Sequence, residues 1–144
     1  ANILGNFALA GSWAQALRRV GRPGVLLVNS SNQAELVNPT GFAYALSKAA
    51  LNHMVRHLAV AYAESSIRVN GLVLGWFDTE GERVFYGAGQ IKRQAEAGIL
   101  MRRAGEPREA ARLIAFMASD RAGYMTGSLV RLDGGFALAP DLST

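Results

Sequence analysis

Tyr44 and Lys48 stand four residues apart at the start of a strong helical pattern, Tyr44-Ala45-Leu46-Ser47-Lys48. At about 100° per residue, four steps make roughly one turn plus 40°, so both side chains leave one face together. A lysine ammonium beside a phenol favours the phenolate form. That is one way to obtain a general acid or base at neutral pH from a group ordinarily too weak for the task. The same spacing also arises on amphipathic helices that do no chemistry, so its meaning depends on the elements around it.

Those elements read as alternating helices and strands. Over residues 2–20, Ile3, Leu4, Phe7, Ala10, Ala14 and Leu17 recur at helical spacing, and Gly21-Arg22-Pro23-Gly24 ends the helix. No capping sequence precedes it at Ala1-Asn2, as though the chain were entered in mid-structure. Residues 25–30 form a short, continuous apolar run, which suits a strand buried on both faces. A loop from Asn32 to Gly41, broken by Pro39, leads into a long helix at 42–64. That helix carries one stripe of Tyr44, Lys48, Leu51, Val55, Leu58 and Tyr62, and another of Leu46, Ala50, His53 or Met54, His57 and Ala61. A helix apolar on nearly all sides is buried on nearly all sides. One side is expected to cover the sheet and the other to meet a second copy, giving a homodimer or homotetramer. His53 lies nine residues from Tyr44, about 180° round the helix. Both histidines are therefore assigned to a surface or interface, away from catalysis and without metal-ligand spacing.

Residues 67–74 form a second buried strand, left through Gly75-Trp76-Phe77-Asp78-Thr79. The stretch 80–101 has a weak pattern, with glycines at 81, 87, 89 and 98. It reads as a lid or binding loop, or as a plain surface excursion. Glu106-Pro107-Arg108 opens a helix running to about residue 118, with proline at an early position. Residues 128–132 are a last short strand, and Asp133-Gly134-Gly135 turns the chain out. Alternating strands and helices imply a parallel sheet with right-handed crossovers. Ligands in such sheets bind beyond the carboxyl ends of the strands. Ser31, Thr79 and the lid all follow strand ends, and the first turn of the long helix brings Tyr44 and Lys48 to the same rim.

Composition excludes several other classes. The 144 residues fit one domain, and no apolar run approaches the roughly 20 residues of a membrane helix. No signal-peptide pattern is visible at the N-terminus. With no cysteine there is neither a disulfide framework nor a thiolate metal site; the cytoplasm is the expected location. The net charge of +4 is spread among interspersed acids without interleaved aromatics, which argues against nucleic acid as a partner.

Further motifs stand at fixed distances from the Tyr44–Lys48 pair. Ser31 lies thirteen positions before Tyr44 and ends the run Val25-Leu26-Leu27-Val28-Asn29-Ser30-Ser31. After the long helix come Ile67-Arg68-Val69-Asn70-Gly71-Leu72-Val73-Leu74-Gly75, then Thr79, Thr126-Gly127 and Asp133-Gly134-Gly135. In order and spacing these resemble the short-chain dehydrogenase/reductase family in its single-domain form, over nearly the whole chain. The resemblance implies an α/β fold, the C-terminal part of a Rossmann-like doubly wound parallel sheet with three strands and flanking helices, and one catalytic portion over residues 1–144. It implies an NAD(P)-dependent oxidoreductase interconverting an alcohol and a carbonyl. Tyr44 would be the acid/base, and Lys48 would assist it and hold the nicotinamide ribose. Ser31 would bond the substrate oxygen, with Ser30 as its competitor, and Asn2 would hold a water next to the lysine. Gly75, Phe77 and Thr79 would contact the nicotinamide end, and a hydride carrier is chemically required. Asp133-Gly134-Gly135 reads as a structural turn. Trp76 and Phe77 could equally pack or line a pocket, and with Phe85 and Tyr86 they hint at an apolar one.

The chain departs from the family pattern in two places. Leu74-Gly75 stands where the family usually has Pro-Gly, with the glycine kept. No Gly-x-x-x-Gly-x-Gly turn follows a strand, so the element that would hold the cofactor pyrophosphate and with it the choice of NAD or NADP are missing. The chain resembles the carboxyl-terminal half of a member, and a missing N-terminal half is an expected partner. Without it the first strand would be an exposed apolar edge. The alternative is a non-catalytic fragment acting as a structural or oligomerisation module; the intact Ser31, Tyr44 and Lys48 set argues against it. Dehalogenation on the same fold would be expected to carry arginine in place of Lys48.

Overall fold

A computed structural model describes residues 3–37 and 41–139, apart from the side chains of Phe85 and Ala88. Asn2 lies outside the described residues. The chain opens with helix α1 (Leu4–Arg19), whose last turn carries Arg18 and Arg19, a favourable place for cations at a helix C-terminus. Strand β1 (Gly24–Ser31) follows. A one-turn helix over Asn32–Ala34 leads toward α2 (Phe42–Tyr62). Strand β2 (Ile67–Leu74) comes next, at the bounds expected from the sequence.

The stretch 80–101 departs from its reading as a loop. It holds two short helices, α3 (Glu80–Tyr86) and α4 (Ala88–Gly98). Thr79 starts α3 by accepting a hydrogen bond from Glu82 N at 3.3 Å, an N-cap. Gly87, at φ 78°, breaks one helix from the next in a conformation that favours glycine. Ile91 and Ala95, one turn apart, are the buried face of α4. The glycines dilute the pattern because each is a poor helix former. Helix α5 (Pro107–Ala118) begins with a reciprocal cap between Glu106 and Glu109 and with proline in its first turn. Strand β3 (Leu129–Leu132) completes the sheet.

The three strands are parallel in the order β1-β2-β3, as the alternating pattern requires. Helices α1 and α2 cover one face, where Ala10, Ala14, Leu51, Val55, Leu58 and Val69 form the core with Val28 and Ile67. On the other face Arg68 donates to Met117 O at 3.0 Å and Ser119 O at 3.1 Å at the end of α5. Helix α2 is not buried all round. Lys48, Leu51, Asn52, Val55, Leu58, Ala59 and Tyr62 are buried, whereas Leu46, His53, His57 and Val60 are exposed. One sheet and α1 cover one side of this helix, and among the described residues nothing covers the other. Among the described residues no helix is long and apolar enough to cross a membrane.

Candidate active site

The rim is set by strand register. Ser31 pairs with Leu74, and Leu74 with Leu132, so all three strands end level. Neighbouring strands lie about 4.8 Å apart, which places Ser31, Gly75 and Asp133 along one short edge. Helix α2 is pinned over the β1 end of that edge by two bonds. Lys48 Nζ donates to Asn29 O at 2.9 Å, and Ser30 Oγ donates to Lys48 O at 3.3 Å.

This anchoring brings the sequence-predicted pair together. Lys48 Nζ lies 5.5 Å from the centroid of the Tyr44 ring, within cation–π range. Tyr44 is 47 % exposed and open to a ligand, whereas Lys48 is buried at 9 %. Burial lowers the lysine pKa from its ordinary value, because the charged form is the one desolvation penalises. The two serines divide their tasks. The Ser30 hydroxyl is used on the helix backbone, while Ser31 Oγ accepts from Gln33 N at 3.2 Å and faces Asn32 Oδ1 at 3.4 Å. Ser31 thus sits at the head of the loop beyond the strand, two residues past the carbonyl that holds Lys48.

The residues after β2 are placed by packing. A side chain at Gly75 would bring its Cβ to 2.5 Å from Asp133 Cβ and 2.6 Å from Asp133 Cα, so the close approach glycine permits here is to the turn after β3. Phe77 bridges to Gly105, and its ring lies where a Cβ on Gly105 would have to go. Trp76 donates through Nε1 to Glu82 Oε2 at 3.0 Å and meets Tyr86 edge-on at 5.7 Å. The Trp76 and Phe77 side chains border a cavity of about 50 Å³ together with Met101 and Leu132. Asp133 accepts from Gly135 N at 2.9 Å and Ala137 N at 3.0 Å, as a structural turn would. The Lys48 anchor had no sequence signal: it is the backbone carbonyl of Asn29. Among the described residues no group of three or more His, Cys, Asp or Glu could hold a metal.

Comparison with known proteins agrees with this architecture. The family described as enoyl-(acyl carrier protein) reductase matches residues 1–137. A Thermotoga maritima protein described as an uncharacterized oxidoreductase is 36 % identical over 139 residues, which is 93 % of this chain and 55 % of that protein. A glucose 1-dehydrogenase of Gluconobacter oxydans is 35 % identical over 121 residues, 84 % of this chain and 46 % of that one. Among solved structures, a short-chain type dehydrogenase/reductase from Mycobacterium marinum superposes with a TM-score of 0.85 at 31 % identity, over 94 % of this chain and 53 % of that one. A 4-hydroxyisoleucine dehydrogenase mutant complexed with NADH and succinate has the same fold, with a TM-score of 0.90 at 24 % identity, over 97 % of this chain and 58 % of that one. The chain spans about half the length of the curated relatives it matches. With its parallel sheet, its level strand ends and its Tyr44–Lys48 pair, the chain belongs to the short-chain dehydrogenase/reductase family.

Proposed function

We propose that the polypeptide carrying this chain is an NAD- or NADP-dependent oxidoreductase that interconverts a small-molecule alcohol and its carbonyl, with Tyr44 as acid/base. One observation carries the reading. Lys48 is held by Asn29 O at the end of β1 with its ammonium 5.5 Å from the Tyr44 ring, on the rim where Ser31 also sits.

The donor set fits the nicotinamide–ribose end of such a cofactor. An ammonium has three N–H donors, and Lys48 gives one to Asn29 O, leaving a charged donor beside a phenol to meet vicinal hydroxyls. The nicotinamide ring supplies hydride, which no side chain can. In reduction Tyr44 Oη gives its proton to the carbonyl oxygen; in oxidation it takes one from the hydroxyl. Ser31 Oγ is the donor to the substrate oxygen as charge develops there. Asn2 is assigned to hold a water beside Lys48, and Gly75, Phe77 and Thr79 to border the nicotinamide. Trp76, after β2, and Tyr86, in the 80–101 segment, are assigned to an apolar wall over the substrate.

The test is an assay of the complete polypeptide with alcohols and carbonyls, followed by nicotinamide absorbance with each cofactor. Tyr44→Phe should lower turnover by about 10²- to 10⁴-fold, the usual worth of a placed general acid or base. Wild-type turnover in Tyr44→Phe would overturn the assignment. The pyrophosphate site is assigned to a segment other than residues 1–144. Intact mass under denaturing conditions should therefore show a longer chain or a second species of roughly a hundred residues. A stable monomer of this chain that binds the dinucleotide alone would refute that part. The outer stripe of α2, together with Leu4 and Phe7 of α1, is assigned to self-association as a homodimer or homotetramer, read by sedimentation.

A further inference from the structure

The outer face of α2 holds a feature that the proposed chemistry does not use. His53 and His57 are four residues apart, and both are exposed. Their Nε2 atoms approach to 3.2 Å, with ring centroids 4.8 Å apart and planes at 71°. Residues i and i+4 face each other on a helix, so this spacing, read from the sequence as lacking metal ligands, does bring two ring nitrogens to one place. Here the two polar atoms converge. An ion about 2.0–2.1 Å from each nitrogen would see two nitrogens 3.2 Å apart at an angle of about 100°. That lies between the roughly 90° of square or octahedral sites and the roughly 109° of tetrahedral ones.

We propose that His53 and His57 form a two-imidazole chelate for a borderline divalent cation such as nickel, copper or zinc. Neutral imidazole suits these ions, whereas magnesium and calcium prefer oxygen. Each ring binds through Nε2 with its proton on Nδ1; the ring that now donates the shared hydrogen bond moves its proton from Nε2 to Nδ1, and that hydrogen bond is exchanged for two metal–nitrogen bonds. Water, or the matching pair of a second copy, completes the coordination. The nearest formal charge along the helix is Arg56, which is exposed, so salt screens its repulsion of the ion. The helix fixes the spacing of the pair, so little ordering is left for binding to pay. The inference does not rest on the proposed dehydrogenase activity.

Nickel is the probe, added to the apo chain or to the polypeptide carrying it. Residues 1–144 contain two histidines, so in this chain the imidazole proton resonances report on the pair, and in the longer polypeptide the resonances lost in His53→Gln and His57→Gln identify it. Both should broaden together at the same low nickel concentration. Calorimetry should show one ion per chain, or one per two chains if α2 faces α2. His57→Gln and His53→Gln should each weaken binding at least about tenfold, since loss of even an outer-shell partner can cost that much. Circular dichroism checks that each variant keeps its helices. Affinity unchanged in either variant, or two resonances that broaden independently as in single-histidine chains, would overturn the proposal.

Discussion

Strands β1 and β2 are each eight residues long, yet they lead different lives. β2 is paired on both edges and buried almost throughout. β1 is paired on one edge, and its residues 24–27 are half-buried. Leu26 and Val69 are register partners, yet only Val69 is fully enclosed. The next pair, Leu27 and Asn70, inverts the usual order. The polar residue is the enclosed one, because Asn70 ties β2 to the segment before β3. Its Nδ2 donates to Met125 O at 2.8 Å, and its Oδ1 accepts from Ser128 N at 3.0 Å. The central strand is the more enclosed of the two, while the edge strand carries candidate site residues. The carbonyl that anchors Lys48 and the candidate Ser31 both lie on β1.

This contrast can be broken by substitution, followed by urea unfolding. The largest effect is expected at Asn70. Asn70→Leu orphans two backbone groups at about 1–3 kcal/mol each, for a loss of about 2–6 kcal/mol. A loss under about 1 kcal/mol would show that the segment before β3 does not depend on it. Ile67→Ala should follow at about 2–5 kcal/mol, the range for truncating a core aliphatic, since Ile67 is 1 % exposed. Leu26→Ala on the edge strand should lose about 1 kcal/mol, roughly half the worth of a fully buried leucine. If it equals Ile67→Ala, the two strands are equally covered in solution.

The smallest effect concerns Lys48 and runs with pH. Burial places its folded pKa below the ordinary 10.5, so in that window the unfolded chain binds more protons than the folded one. Stability therefore rises with pH through the folded pKa toward 10.5. The penalty for the buried charge is fully present below that window. Lys48→Met should remove this rise, visible as the difference between the two pH–stability curves. Parallel curves would show that Lys48 is not desolvated in solution.

Much of this organisation was legible in local signals. The span of β2 follows from Ile67, Val69 and Leu72-Val73-Leu74 up to the glycine at 75. The end of α1 and the start of α5 follow from Gly21 to Gly24 and from Pro107. The stretch at 80–101 was harder, because its glycines weaken the period that Ile91 and Ala95 carry, and Thr79 is a cap only once Glu82 turns back onto it. The two stripes of α2 were visible as composition, but which of them is covered was not. A side chain's burial depends on what the rest of the chain brings to it.

The amino-acid sequence by itself determined the alternation of helices and strands and the Tyr44–Lys48 spacing, since these depend on neighbours within a turn or two. Tertiary structure decided the rest. It chose Asn29 O as the anchor of Lys48, gave Ser30 to the helix and Ser31 to the rim, and assigned the close approach at Gly75 to Asp133. These contacts join residues far apart along the chain, 19 positions for Lys48 and Asn29 and 55 for Asn70 and Met125. No local pattern encodes them, because each partner's position is set by the sheet register and not by its own neighbours.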